Sequence, residues 1–159
     1  MDTAADPRPD VVFMQGMIPH HAQALAMAAL VPGRGAGREV TLIAERIRVS
    51  QADEIARMTR WLARRGADVP GPDAHAGHLM AGMLTPDQMA RLAAASGTDF
   101  DRLFLQFMIQ HHEGALTMVG EILDAPRGTE ASEVYALVSD IEADQTAEID
   151  RMQTLLTRF

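Results

Sequence analysis

Six histidines stand in this chain in three groups: His20-His21, His111-His112 and His75-x-x-His78. Eleven methionines accompany them, against one Tyr and one Trp. Met17 and Met108 precede the two His-His pairs by three and four residues, so on a helix each shares a face with one histidine. Imidazole nitrogen and thioether sulfur both bind metals. With no cysteine in the chain there is no thiolate, disulfide or cysteine nucleophile. Imidazole with thioether favours copper, Cu(I) especially, and zinc or another divalent transition metal on imidazole and carboxylate is the alternative. The candidate ligands are His20, His21, His111, His112, Met17 and Met108, with Glu54 and Glu148 as carboxylates of the same layer. A second soft set, His75, His78, Met80 and Met83, falls in a Gly/Pro-rich stretch expected to be flexible and exposed. An exposed set of that kind suits entry or transfer of an ion, or exchange with a metal-donor or metal-acceptor protein.

These residues sit in a repeated frame. Asp10–Met27 aligns without gaps on Asp101–Met118, bringing Phe13, Met17, Ile18, His20, His21, Ala24 and Met27 onto Phe104, Met108, Ile109, His111, His112, Ala115 and Met118. Downstream of each, Ile47, Gln51, Glu54, Ile55, Met58 and Leu62 match Ile141, Gln145, Glu148, Ile149, Met152 and Leu156. We expect one domain over 1–159, with repeats at about 10–65 and 101–157 and a linker at about 66–98.

Each member of the repeat has helical spacing. Phe13, Met17, His20, Ala24 and Met27 step by four, three, four and three, tracing one face. Phe104, Met108, His111, Ala115, Met118 and Ile122 repeat it, flanked by a second stripe of Leu105, Ile109, His112, Leu116, Val119 and Leu123. The second helix runs from about Ala36 to Arg65 and the fourth over about 131–157. Pro32-Gly33-Arg34-Gly35 and Asp124-Ala-Pro-Arg-Gly128 punctuate the pattern. Pro19 falls inside the first helix, where it removes a backbone donor and is expected to kink it. Thr85-Pro86-Asp87-Gln88 reads as a capped start for a short connecting helix to about Ala95. The expected fold is all-α: a four-helix up-down bundle of two duplicated helix pairs. Adjacent histidines diverge by about 100° around a helix, so one of each pair can meet its counterpart while the other reaches a neighbouring helix.

Composition narrows the function classes. Hydrophobic residues make up 47% and aromatics only 4%, so aliphatic side chains and Met must fill the core and no aromatic platform for nucleic acid exists. The net charge of −8 comes wholly from residues 80–159, and repels phosphate and anionic lipid. No run approaches the roughly 20 apolar residues of a spanning helix. No signal peptide is legible at the N-terminus, which leaves a cytosolic protein or one whose export segment lies outside this sequence. Glu-x-x-His pairs, which a ferritin-type di-iron oxidase needs, are absent.

The doubled Met-Ile-x-His-His core at Met17–His21 and Met108–His112, with Met80-Ala-Gly-Met83 and Gly97-Thr-Asp-Phe100-Asp101-Arg-Leu-Phe104, resembles the DUF305 family of bacterial helical bundles. The resemblance runs from about Asp10 to Leu156. It implies a ferritin-like four-helix bundle that binds copper through His, Met and acidic ligands, in an extracytoplasmic, copper-tolerance setting. On the residues alone, three functions stay open: metal storage or sequestration, a metalloenzyme of ferritin-like type, and a structural bundle whose histidines only hydrogen-bond to Glu54, Glu148, Gln51 and Gln145.

Overall fold

Pro9 opens the first helix, where its missing N–H is one of the donors a helix start leaves unused, and Asp10 places a negative charge in the positive first turn. The computed structural model describes residues 8–74 and 79–159, and among them five helices: α1 Pro9–Ala28, α2 Arg38–Arg64, α3 Pro86–Ala94, α4 Gly97–Asp124 and α5 Ser132–Leu156. The protein is all-helical over these residues. α1 continues through Pro19 and ends at Ala28, four residues before Pro32. α3 carries the expected capping box, with Thr85 Oγ1 accepting from the Gln88 backbone and Gln88 Oε1 accepting from the Thr85 N–H. The start of α2 is tied to another helix: both carboxylate oxygens of Asp101 on α4 accept from the Gly37 N–H, at 3.2 and 3.0 Å.

α1 packs along α2 and α4 along α5, and α1 also touches α4 while α2 touches α5. Their apolar faces form two clusters. One gathers Ala24, Met27, Ile47, Phe104, Met108 and Met152; the other gathers Phe13, Met17, Met58, Trp61, Ala115 and Ile141. On each long helix the polar residues lie between the two: His20 and His21, Gln51 and Glu54, His111 and His112, Gln145 and Glu148, all buried. In the second stripe on α4, Leu105, Ile109, His112 and Val119 are buried, Leu116 is half-buried and Leu123 is exposed, so the buried arc is narrower than expected near the helix end.

The same order fixes helix direction. α1 and α5 run from the second cluster to the first, whereas α2 and α4 run from the first to the second. The sense is therefore not the strict alternation expected of an up-down bundle. The connection from α2 to α4 starts at the level of the second cluster and ends at that of the first, and the later of its described residues pack against the helices. Met83 and Leu84 are buried, at 4% and 1% exposure, and Leu92 of α3 joins the first cluster. This corrects the expectation of a flexible, exposed linker for its second part. Its buried apolar side chains and the turns of Gly and Pro serve different stretches of the same segment, and composition averaged them together.

Candidate metal centre

The two His-His pairs stand at the same level of the molecule, all four rings with no exposed surface. The angle between neighbours on a helix sends each pair in two directions. His20 of α1 faces His111 of α4, ring centroids 4.0 Å apart and planes inclined by 38°. His21 turns to α2, where its Nε2 lies 2.5 Å from Glu54 Oε2. His112 turns to α5, where its Nε2 lies 2.5 Å from Glu148 Oε2. Met17 and Met108 are fully buried one turn from their histidines, Met17 in the second cluster and Met108 in the first. They border the layer from opposite sides, because α1 and α4 run in opposite directions.

The carboxylates decide which face of each ring is left. When its glutamate is ionised, Nε2 of each ring is the donor to it, which puts the lone pair of His21 and of His112 on Nδ1. Both Nδ1 atoms are buried without a hydrogen-bond partner. Burial, then the neighbouring His112, pushes His21 down to about 3, so it is neutral at physiological pH, the form that binds metal. Burial and the rings of His20, His112 and His21 hold His111 well below its ordinary value; the His20 backbone opposes this only weakly. Glu54 is pushed up to about 7 by burial, and beside it the Asp144 carboxyl is also raised to about 7, by desolvation and by Glu54 itself. Asp144 opposes that rise at Glu54, whose Oε1 is buried without a hydrogen-bond partner. Glu148 has a milder neighbour: Ser50 Oγ donates to its Oε1 at 3.0 Å.

Not every polar atom of the layer is satisfied. Gln51 Nε2 and Oε1 and Gln145 Oε1 are buried without partners, as is His111 at both ring nitrogens by normal hydrogen-bond geometry. The glutamines thus do not tie up the histidines, although the glutamates do. Each buried polar atom left unpaired costs about 1–3 kcal/mol. Among the described residues no three His, Asp or Glu side chains converge so as to hold a metal ion. Glu54 and Glu148, placed by the sequence among the ligands, are engaged with His21 and His112. Any ion in this layer would draw on imidazole nitrogens in pairs and on the thioethers, a soft donor set. Of the secondary set, Met80 is half-buried and Met83 buried; His75 and His78 lie outside the described residues.

Sequence reasoning missed the strap that closes the layer. His20 Nε2 donates to the Ala81 carbonyl at 2.8 Å. Gln23 clamps Leu84 from both ends of its amide, accepting from the backbone N–H at 2.8 Å and donating to the carbonyl at 3.0 Å. On α4 the strap lies directly on Gly114, where a Cβ would stand 2.0 Å from the Ala81 carbonyl oxygen. Gly82, at φ +74°, meets the same place from the other side. The one sequence signal was a break in the repeat: Gln23 aligns with Gly114.

The profile of the DUF305 family, described as a domain of unknown function, matches residues 10–156. No match was found among curated proteins. Among solved structures, a DUF305 fragment from Deinococcus radiodurans is 35% identical with a TM-score of 0.82, covering 96% of this chain and 100% of that one. A DUF305 protein of Streptomyces coelicolor, described as secreted, is 28% identical with a TM-score of 0.81, covering 95% and 93%. CopM in its Cu(I)-bound form is 30% identical with a TM-score of 0.75, covering 94% and 96%, and CopM is also solved with Cu(II) and with Ag.

Proposed function

This chain belongs to the DUF305 family, and from that premise we propose that it binds copper in the buried histidine layer, for storage or sequestration. The observation that carries the proposal is the concentration of unpaired polar atoms there, with Nδ1 of His21 and of His112 each buried without a hydrogen-bond partner. The donors are His20, His21, His111 and His112 with Met17 and Met108. Glu54 and Glu148 orient His21 and His112 through Nε2, as carboxylates commonly do behind metal-bound imidazoles. Copper would supply the bonds that the lone pairs lack. The likeness to CopM, solved with Cu(I), Cu(II) and Ag, supports the choice of metal. The return connection between α2 and α4 supports a ferritin-like bundle of one domain, built from a duplicated helix pair. An extracytoplasmic location is favoured by the relative described as secreted; no helix among the described residues is long and apolar enough to cross a membrane.

Competition titration with Cu(I) and a chelator tests the reading. His21→Ala with His112→Ala should weaken binding by about 100-fold or more, a loss of roughly 3 kcal/mol. An unchanged affinity overturns it. The two His–Glu bonds favour a second reading, a polar layer that only specifies the packing. In that case added Cu(I) leaves the melting temperature where it was, since a ligand that binds the native state must raise it.

A further inference from the structure

The histidine layer has no exposed surface, so an ion bound there must enter past something. A cavity of about 630 Å³ opens against α1, walled by Phe13, Gly16, Pro19, Met80, Ala81 and Met118 among others. Two features of its wall go beyond an apolar dent. At Gly16, a Cβ would meet Met118 Cε at 3.3 Å and Met80 Sδ at 3.4 Å, so a methionine from α4 and one from the strap converge on a single point of α1. Ala81 is shared between cavity and layer, for its carbonyl accepts the His20 Nε2 proton at 2.8 Å. Ala81, next to Met80 in the strap and in the same wall as Met118, thus links the cavity to His20.

We propose that Met80 and Met118 form a second, shallow site for a soft monovalent ion, Cu(I) or Ag(I), and that this site passes the ion to the histidine layer. For its destination the proposal rests on the reading above; the site itself stands on the convergence at Gly16. Thioether sulfur binds Cu(I) and Ag(I) in preference to harder Zn²⁺ or Mg²⁺. Methionine's three rotatable bonds let two sulfurs turn onto one ion without backbone movement. Glu121 stands in the same wall and adds attraction for a cation. Gly16 matters because any side chain there would fill the point of convergence. Transfer is ligand exchange alone: thioether bonds to the ion break as imidazole bonds form, and its oxidation state does not change.

The full chain, carrying ¹³C-methyl-methionine and titrated with Ag(I), gives a first test that needs no variant. The Met80 and Met118 methyl resonances should move together at a stoichiometry beyond that of the tight site. Static resonances overturn the proposal. Met80→Leu with Met118→Leu, and separately Gly16→Ala, should remove one weak Ag(I) equivalent and slow Cu(I) loading from a chelator about tenfold, the tight-site affinity staying within about twofold. Unchanged stoichiometry and rate overturn it as well. In a His21→Ala, His112→Ala background, a weak Ag(I) site that disappears on adding the two leucines supports the outer site even if the inner one fails. Loss of all weak Ag(I) binding in that background counts against an independent outer site.

Discussion

His20 and His111 occupy matching positions in the two halves of the sequence and lie ring to ring, 4.0 Å between centroids, yet they are held differently. His20 is pinned through Nε2 to the strap at Ala81, whereas His111 is fixed by burial among rings. One turn on, Gln23 grips the strap with its amide, while Gly114 in the equivalent place gives way so that the strap can lie down. His21–Glu54 and His112–Glu148, by contrast, repeat each other at 2.5 Å. The halves agree where each helix faces its own partner and part company where a single strap crosses both. One chain segment cannot lie symmetrically on two copies, so the copies have adapted to it.

The largest effect should follow from closing the gap on α4. Gly114→Ala puts a methyl 2.0 Å from the Ala81 carbonyl and should cost about 3 kcal/mol or more in chemical denaturation. Gly120→Ala in the same helix has open space and should be neutral or stabilising by up to about 1 kcal/mol. Equal effects at the two glycines would break the contrast.

Gln23→Ala removes both bonds to Leu84 and should cost roughly 2 kcal/mol. Gln110→Ala, whose bond to the Gly82 carbonyl is long at 3.4 Å, should cost under about 1 kcal/mol. Strap protection in hydrogen exchange should fall for the first and hold for the second.

The acid partners allow a finer comparison in metal-free protein. Glu54 and Asp144 are raised to about 7 in the fold, above ordinary values of 4.5 and 3.8. Groups raised on folding stabilise below their unfolded values and lose that stabilisation as pH rises through about 7. Asp144→Asn should therefore raise the melting temperature at pH 8 by about 2 °C, a shift reduced for Asp144's exposure, and lose that advantage at pH 5. Ser50→Ala, the matching change beside Glu148, should lower it by a similar amount at both pH values, because a hydroxyl donor does not titrate.

His21 sets the acid limit. Its folded value of about 3 lies below the ordinary 6.5, so the stability it helps to hold is present above 6.5 and drains away as pH falls towards 3. His21→Gln should flatten the fall of stability over that window, read from denaturation midpoints. A slope unchanged by the substitution would remove His21 from the acid response.

Much of this was legible in the residues because it depends on local repetition. The step of three and four placed Phe13, Met17, His20, Ala24 and Met27 on one face, and all five are buried. The Thr85 capping box is complete within four residues, and its hydrogen bonds are those the sequence implies. The 100° between adjacent histidines already required the two directions that His20 and His21 take. The sequence could not assign the roles of Glu54 and Glu148. A buried carboxylate can bind an ion or orient an imidazole, and only its distance to His21 or His112 distinguishes the two. Nor could it find Ser50, Asp144 or the Ala81 carbonyl, which act through neighbours dozens of residues away.

Spacing and repetition along the chain determined which side chains would be buried together: four helical faces, doubled His pairs and methionines in step. Tertiary structure alone decided the sense of α4, the course of the strap over His20 and Gly114, and which ring nitrogen each glutamate takes. The physical reason is range. Helical periodicity is written in contacts three and four residues apart, whereas the strap and the mutual effect of Glu54 and Asp144 depend on where separate helices come to rest.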